Sequence, residues 1–476
     1  MRTVFKTLSI VFGLIWPTYV SADQDELVSD LLLSLREQTH VPAFSVAVVR
    51  NGAILNVTTV GEKDIKNHLP ATNETSFRLA SVSKVIGATM LAELMQKGRL
   101  GSNDQIGTYL PQLQQHFKSL TVKQLLAHTS GVPHYQVRDS AIALAHYETA
   151  IDALDGVGDR ALLFAPGTDY EYSSHAYSIL SALYEVIEGR PLLRSAPEFM
   201  ERMTGLTTPQ LEDVRTRNQS RSNAFELTAD GPRTIKLRDQ SFSPFGTGFI
   251  ATSTDLALFG DAVLHGPTIS DATREFLFEP VFLNDGRPTG NYLYQVAFGW
   301  RVGIDNKGRT VYHHAGITPG ARSVLILYPE EGLSIAFLSN AMWTAQIERT
   351  GFAIADIFLS EQFAQGKSVS HSFDGRFNSS PISGEITCEP GLALCNFSDN
   401  DGALTKWLRR FNHTPSDRTN WPAILARSGS GDSIILVTSV GLIQLMQRET
   451  EQCSISCFGV EVGNGRLLEI RVKGVR

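Results

Sequence analysis

The first 387 residues contain no cysteine; all four, Cys388, Cys395, Cys453 and Cys457, lie in the last quarter of the chain. Most of the protein therefore has no disulfide framework. The even, clustered set suggests two bridges confined to a small C-terminal module. Three pairings are open, of which Cys388 with Cys395 is attractive because Glu389-Pro390-Gly391 can turn the chain back between them. Zinc is the rival reading, but the spacings and the lack of nearby histidine ligands oppose it. Cationic excess is missing too: 42 basic residues face 49 acidic ones, and no basic run or RNA-binding signature points to nucleic acid. Beyond the N-terminus no segment is long and apolar enough to cross a membrane, and no internal repeat is visible.

What is present describes a globular protein with ample core: 42% hydrophobic residues, 19% charged, and 476 residues, a length that suggests two domains. At the N-terminus Arg2 and Lys6 precede an apolar stretch over 8–20, followed by the small residues of Val20-Ser21-Ala22 and the polar Asp23-Gln24-Asp25-Glu26. This reads as a cleavable signal peptide over 1–22 and a periplasmic or secreted protein. A retained anchor is disfavoured because the apolar core is short and holds Pro17.

The mature chain opens with a helical pattern over 25–37. Two β-rich runs, 43–49 and 53–60, flank Asn51-Gly52, a strong hairpin signal. From Val82 the residues Val85, Ile86, Met90, Leu94 and Met95 fall near helical spacing, and Gly98 suits the stop. Helices are expected at 122–127, 174–187 and 254–264. Strand character returns at 298–302, 310–313, 323–328 and 333–339, with Pro329-Glu330-Glu331-Gly332 turning between the last two. A closing helix is expected over 345–363, then a polar linker over 367–372. The economical fold is α/β (α+β): one antiparallel sheet uniting the first hairpin with the late strands, flanked by helices, with a helical subdomain. The boundaries expected are 26–365 for this unit and 371–476 for a small all-β domain, with 434–437 and 468–472 its clearest strands. A site would sit in the cleft between sheet and helical part.

Ser81 and Lys84 give that cleft its chemistry. Three residues apart, they share a face of a helix. A serine hydroxyl is a poor nucleophile until a base takes its proton, and a desolvated lysine amine can do that. A serine at a helix start also has unpaired backbone N–H groups beside it, ready for an oxyanion. Alone the spacing is weak, since about one or two such pairs arise by chance in a chain this long, and an N-cap is the bland reading.

Further segments give the pair its context: Thr121 followed by Val122-Lys123-Gln124-Leu125-Leu126-Ala127-His128-Thr129-Ser130-Gly131, then Pro166-Gly167, Tyr172-Ser173-Ser174, Phe245-Gly246-Thr247-Gly248, Ser253-Thr254-Asp255-Leu256, and His313-His314-Ala315-Gly316. In this order they resemble the serine beta-lactamase-like family of class C beta-lactamases, D-alanyl-D-alanine carboxypeptidases and related esterases and peptidases. The resemblance covers 26–363 and comes nearest the beta-lactamase-like serine protease branch over 128–135 and Tyr172-Ser173-Ser174. It implies Ser81 as nucleophile, Lys84 as the group that takes or relays its proton, and Tyr172 as phenolate or shuttle, since adjacent positive charge lowers a phenol's pKa. It also implies that His314-Ala315-Gly316 lies along the substrate, Gly316 leaving the strand edge clear, with the amide of Ile317 joining that of Ser81 in an oxyanion hole.

Two departures bear on substrate. Ser174 stands where an asparagine often lies, and His314 replaces a lysine whose fixed charge can hold a carboxylate; imidazole is only partly charged near neutrality. Arg322 is either a replacement for that charge or a solvated surface arginine. His128-Thr129-Ser130-Gly131 is expected to fix a loop, without chemistry. Adjacent strand residues face opposite ways, which disfavours metal binding by His313 with His314. The expectation is an exported serine hydrolase, without cofactor or metal, acting on a small-molecule or peptide amide or ester. Peptide or cell-wall peptide stands ahead of a small ester, and cell-envelope association is compatible with export. A slow-turnover penicillin-binding sensory module and a beta-lactamase are the alternatives. The substrate itself and the oligomeric state are not legible.

Overall fold

The computed structural model describes residues 24–158, 160–206, 210–291, 293–344, 347–360, 362–363, 369–377, 380–388, 394–408, 420–427, 433–447, 457–461 and 467–472. The signal-peptide expectation over 1–22 falls outside them. The Asn-Gly hairpin forms as expected: strand Ala43–Arg50 turns at Asn51-Gly52 into Ala53–Asp64. Ala43–Arg50 then pairs antiparallel with the late strand Leu333–Ser339, Ala47 opposite Ala336. The eight-stranded sheet runs outward from this junction, through Ala321–Tyr328, Thr310–Thr318, Arg301–Ile304 and Gln295–Val296 on one side and Ala53–Asp64 and Leu69–Pro70 on the other.

Its central strands are buried on both faces, so they read as continuous apolar runs rather than alternating ones. One face, carrying Ala47, Leu325, Leu327, Ala336 and Leu338, packs into the larger core with helices Ser83–Gln96, Ser174–Glu188 and Ser253–His265. The other, carrying Phe44, Val46, Val48, Ile326 and Phe337, is covered by Gln24–Thr39 and Ile347–Leu359. The closing helix is shorter than the expected 345–363.

The helix after Ser81 differs from its amphipathic reading. Every residue from Ser83 to Leu94 is buried, so the helix runs through the core instead of lying on it. Gly87 makes this possible: a Cβ there would lie 2.4 Å from the Phe245 ring.

The C-terminal strands form a sheet of their own. Val369–Phe377, Ser380–Cys388, Cys395–Asp399, Asn420–Arg427, Ser433–Thr438, Gly441–Gln447, Cys457–Glu461 and Leu467–Val472 each pair antiparallel with the next, and the last pairs with the first. The sheet therefore closes on itself, around Phe373, Ile386, Phe397, Trp421, Leu436 and Ile470. Strand Val369–Phe377 runs through most of the stretch expected as a linker. Cys388 and Cys395 are disulfide-bonded; Cys453 and the side chain of Cys457 lie outside the described residues.

This second sheet shares a core with the outer face of the first, through Ile424, Ile435, Val437 and Leu442. Ser433 Oγ and Gln444 Nε2 also donate to Asp356 Oδ2 of the closing helix, at 2.8 and 2.9 Å. Among the described residues no helix is long and apolar enough to cross a membrane, and no group of three His, Cys, Asp or Glu is placed to hold a metal.

Candidate active site

Strand Phe77–Arg78 pairs with Phe249–Ala251 and delivers the chain into a single 3-10 turn, Ala80–Val82, ahead of the buried helix. Ser81 therefore sits just before the helix rather than on it. Ala80 is held at φ 46°, the left-handed region that a residue with a Cβ seldom adopts, so the turn presenting Ser81 is conformationally strained. Ser323 Oγ anchors it by donating to the Leu79 carbonyl at 2.6 Å.

Strand Thr310–Thr318 lies hard against the turn at Gly316. A Cβ there would meet the Leu79 carbonyl oxygen at 2.3 Å and the Ser81 amide nitrogen at 3.0 Å. Glycine is required at 316 by the close approach of the turn that carries Ser81, where the sequence suggested room for substrate.

Lys84 is fully buried. Its Nζ donates to Ser174 Oγ at 2.9 Å and to the Gly246 carbonyl at 2.8 Å, and stands 3.4 Å from Ser81 Oγ. It also lies 4.9 Å from the centre of the Tyr172 ring. Burial pushes the amine below the ordinary lysine range; Tyr172 opposes this and Arg301 adds to it. Burial alone would raise the Tyr172 phenol, but Lys84, Ser81 and Arg301 outweigh it and lower its pKa. The Tyr172 hydroxyl is buried and makes no hydrogen bond of good geometry among the described residues. The two shifts belong to a pair sharing one proton: protonated lysine with phenolate, or neutral amine with phenol.

Two histidines hold this corner. His128 Nδ1 accepts from the Ser173 amide and His134 Nδ1 from the Ser174 amide, each at 3.1 Å. The His128 ring packs 4.6 Å from that of Tyr172. Burial keeps both imidazoles neutral, as an accepting Nδ1 needs: His128 falls well below the usual range and His134, half-buried and beside Lys84, is pushed down to about 4. The loop expected to carry no chemistry thus positions Tyr172 and Ser174.

His314 differs from expectation. It is 2% exposed, so burial, together with Arg301 and Lys84, drives its pKa well below the usual value, and it carries no charge near neutrality. Its Nδ1 bonds the Ala315 carbonyl at 2.8 Å, and its ring lies 6.2 Å from that of Tyr172. His313 points the other way, against Phe352 and Tyr294, and both histidines are buried. Arg322 does not supply the missing charge; its Nε donates to the Met342 carbonyl.

A cavity of about 550 Å³ opens over these groups. Ser81, Tyr172, Ser174, Ala315 and Ile317 line it, whereas His314 and Gly316 lie behind its wall and Lys84 beneath. Arg301, which no motif flagged, stands on the same wall, 4.5 Å from the Tyr294 ring and 3.1 Å from Glu348. Tyr135, Thr247 and Arg238 also escaped the sequence reading. Tyr135 and Thr247 fell within quoted motifs, but nothing local marks Arg301 or Arg238. Among the described residues, none beyond Pro319 lines the cavity, and none of the described residues of the second sheet does.

Sheet, flanking helices and the Ser81–Lys84–Tyr172 arrangement define a beta-lactamase/transpeptidase-like scaffold. The chain belongs to the Beta-lactamase family, which matches residues 28–356 and whose members are serine hydrolases. Protein flp of Staphylococcus aureus (strain N315) is 21% identical over 327 residues, 68% of this chain and 64% of that protein. The match thus spans less than two thirds of that relative's length. A penicillin-binding protein of Bacillus subtilis (strain 168) is 27% identical over 341 residues, 67% of this chain and 72% of the relative. Among solved structures, SurE aligns with a TM-score of 0.59 at 18% identity, covering 93% of this chain and 98% of its own. That likeness in fold extends into the second sheet.

Proposed function

We propose that this protein is an exported serine hydrolase that cleaves an amide or ester, a peptide or cell-wall peptide ahead of a small ester, through an acyl-enzyme on Ser81. The observation that carries the reading is the position of Lys84. A neutral amine has two N–H groups and one lone pair. Ser174 Oγ and the Gly246 carbonyl take the two donors, which leaves the lone pair for the proton of Ser81 Oγ.

In the proposed reaction Ser81 Oγ bonds to the substrate carbonyl carbon while its proton passes to Lys84. The amides of Ser81 and Ile317 receive the oxyanion. Collapse breaks the bond to the leaving group, which takes a proton relayed through Tyr172. Water, deprotonated by the same pair, then attacks the acyl-Ser81 ester, and the Ser81 oxygen recovers its proton. His314, buried and neutral, holds the strand and the Tyr172 environment instead of binding a carboxylate. Export rests on residues 1–22, and the Cys388–Cys395 bridge is compatible with an oxidising compartment.

A fluorophosphonate or fluorescent penicillin probe, followed by peptide mass mapping, tests the reading. An adduct on Ser81 that disappears in Ser81→Ala is expected. A correctly folded protein that gives no Ser81 adduct overturns it.

A further inference from the structure

Among the described residues the cavity wall carries three charged side chains, Asp139, Arg238 and Arg301. Two are neutralised. Arg160 pairs with Asp139 through both guanidinium NH groups, and Arg301 pairs with Glu348. Arg238 has no acidic partner among the described residues, and its side chain is exposed.

Its backbone, by contrast, is tightly held. Arg78, three residues before Ser81, is buried in an ion pair with Glu212 at 2.6 Å and donates to the Arg238 carbonyl, also at 2.6 Å. The next residue, Asp239, donates its amide to the Ala143 carbonyl at 3.2 Å, and its carboxylate pairs with His146 at 2.9 Å. Gln136 and Gln240 line the cavity with Arg238. A fixed platform thus presents one uncompensated cation, with two residues bearing amides, to the space above the nucleophile.

We propose that Arg238, with Gln136 and Gln240, forms a subsite for a carboxylate on the substrate, remote from the bond that is cleaved. This deepens the hydrolase reading and rests on it. A planar guanidinium suits a carboxylate because it can donate two parallel hydrogen bonds. Being exposed, the charge selects among substrates more than it adds raw affinity, and salt weakens it. The carboxylate can belong to the acyl group or to the leaving group, and two matched pairs of esters separate these sources.

The test is equilibrium binding to Ser81→Ala, which needs no turnover and so stays decisive if the hydrolase reading fails; Ser81 labelling reports on that reading separately. The acyl pair is 4-nitrophenyl hydrogen glutarate against 4-nitrophenyl pentanoate. The leaving-group pair is 4-carboxyphenyl acetate against 4-carbamoylphenyl acetate. In one pair the anionic member is expected to bind about fivefold or more tightly than its neutral match at low salt, a preference that shrinks at about 0.5 M NaCl. Adding Arg238→Gln is expected to bring the ratio below about two, and Arg238→Lys to keep part of it. Ratios below about two in both pairs with Arg238 present, or a preference that survives Arg238→Gln, overturn the subsite.

Discussion

Lys84, among the helices of the inner face, and Lys307, against the closing helix on the outer face, both have fully buried side chains. Burial is the same and the partners are not. Lys307 lies 2.9 Å from the Asp356 carboxylate, which Arg309, Ser433 and Gln444 also reach. Among the described residues Lys84 meets no carboxylate, only the hydroxyls of Ser81 and Ser174, a carbonyl and aromatic faces. A counter-charge makes a buried amine a fastener between two units; without one, desolvation disfavours the protonated form, which suits Lys84 to the base role proposed above.

The largest expected effect comes from breaking the inner side of this comparison. Lys84→Met should slow Ser81 labelling by ~10³-fold, within the usual range for a lost general base. Its melting temperature should hold or rise, with up to about 2 kcal/mol gained by removing a buried group that has no counter-charge. Labelling kinetics and a thermal melt on one preparation check both halves, and a large loss of stability would place Lys84 with Lys307 as a structural residue.

Next comes the outer side. Asp356→Ala leaves Lys307 and Arg309 facing each other without their shared anion and is expected to cost about 3–5 kcal/mol, as broken buried pairs do. Ser81 labelling per folded molecule should change little, since no described residue beyond Pro319 lines the cavity. Denaturant unfolding with labelling of the folded fraction separates the two readouts.

The smallest effect sharpens the inner side. His134 must stay unprotonated to accept the Ser174 amide, and its pKa is pushed down to about 4 by burial and by Lys84, against the opposing pull of Asp139, with the Tyr135 and Tyr172 rings packed on it. Between about 4 and the ordinary value of 6.5 the unfolded chain binds the proton and the folded one does not. This group's contribution is therefore whole above 6.5, and stability falls as pH drops toward about 4. Labelling by the native protein should show an acid limb near that lower value, where His134 takes up a proton. His134→Asn, which keeps an acceptor close to Nδ1, is expected to stay within about tenfold of the native rate and to lose that limb, whereas His134→Leu should fall further. A pH–rate series on the three proteins decides it.

Much of the architecture was legible locally. Asn51-Gly52 between β-rich runs placed the hairpin, and the strand patterns at 323–328 and 333–339 anticipated two central strands, because turn chemistry and apolar runs are local signals. The helix from Ser83 was legible as a helix but not as a buried one, since what surrounds it comes from distant segments. His314 and Arg322 were read for charge, yet charge depends on burial and on partners, and neither is written in a neighbouring residue.

The sequence by itself determined the candidates for the reacting groups: Ser81, Lys84 and Tyr172 stand out from residue type, spacing and motif order. Tertiary structure alone decided their protonation and their surroundings. It drew Gly246, His134 and Arg301 to the site from separate segments and left Arg238 without a counter-ion among the described residues. Covalent chemistry belongs to side-chain identity; the free energy of a charge belongs to everything within a few ångströms of it, and only folding assembles that.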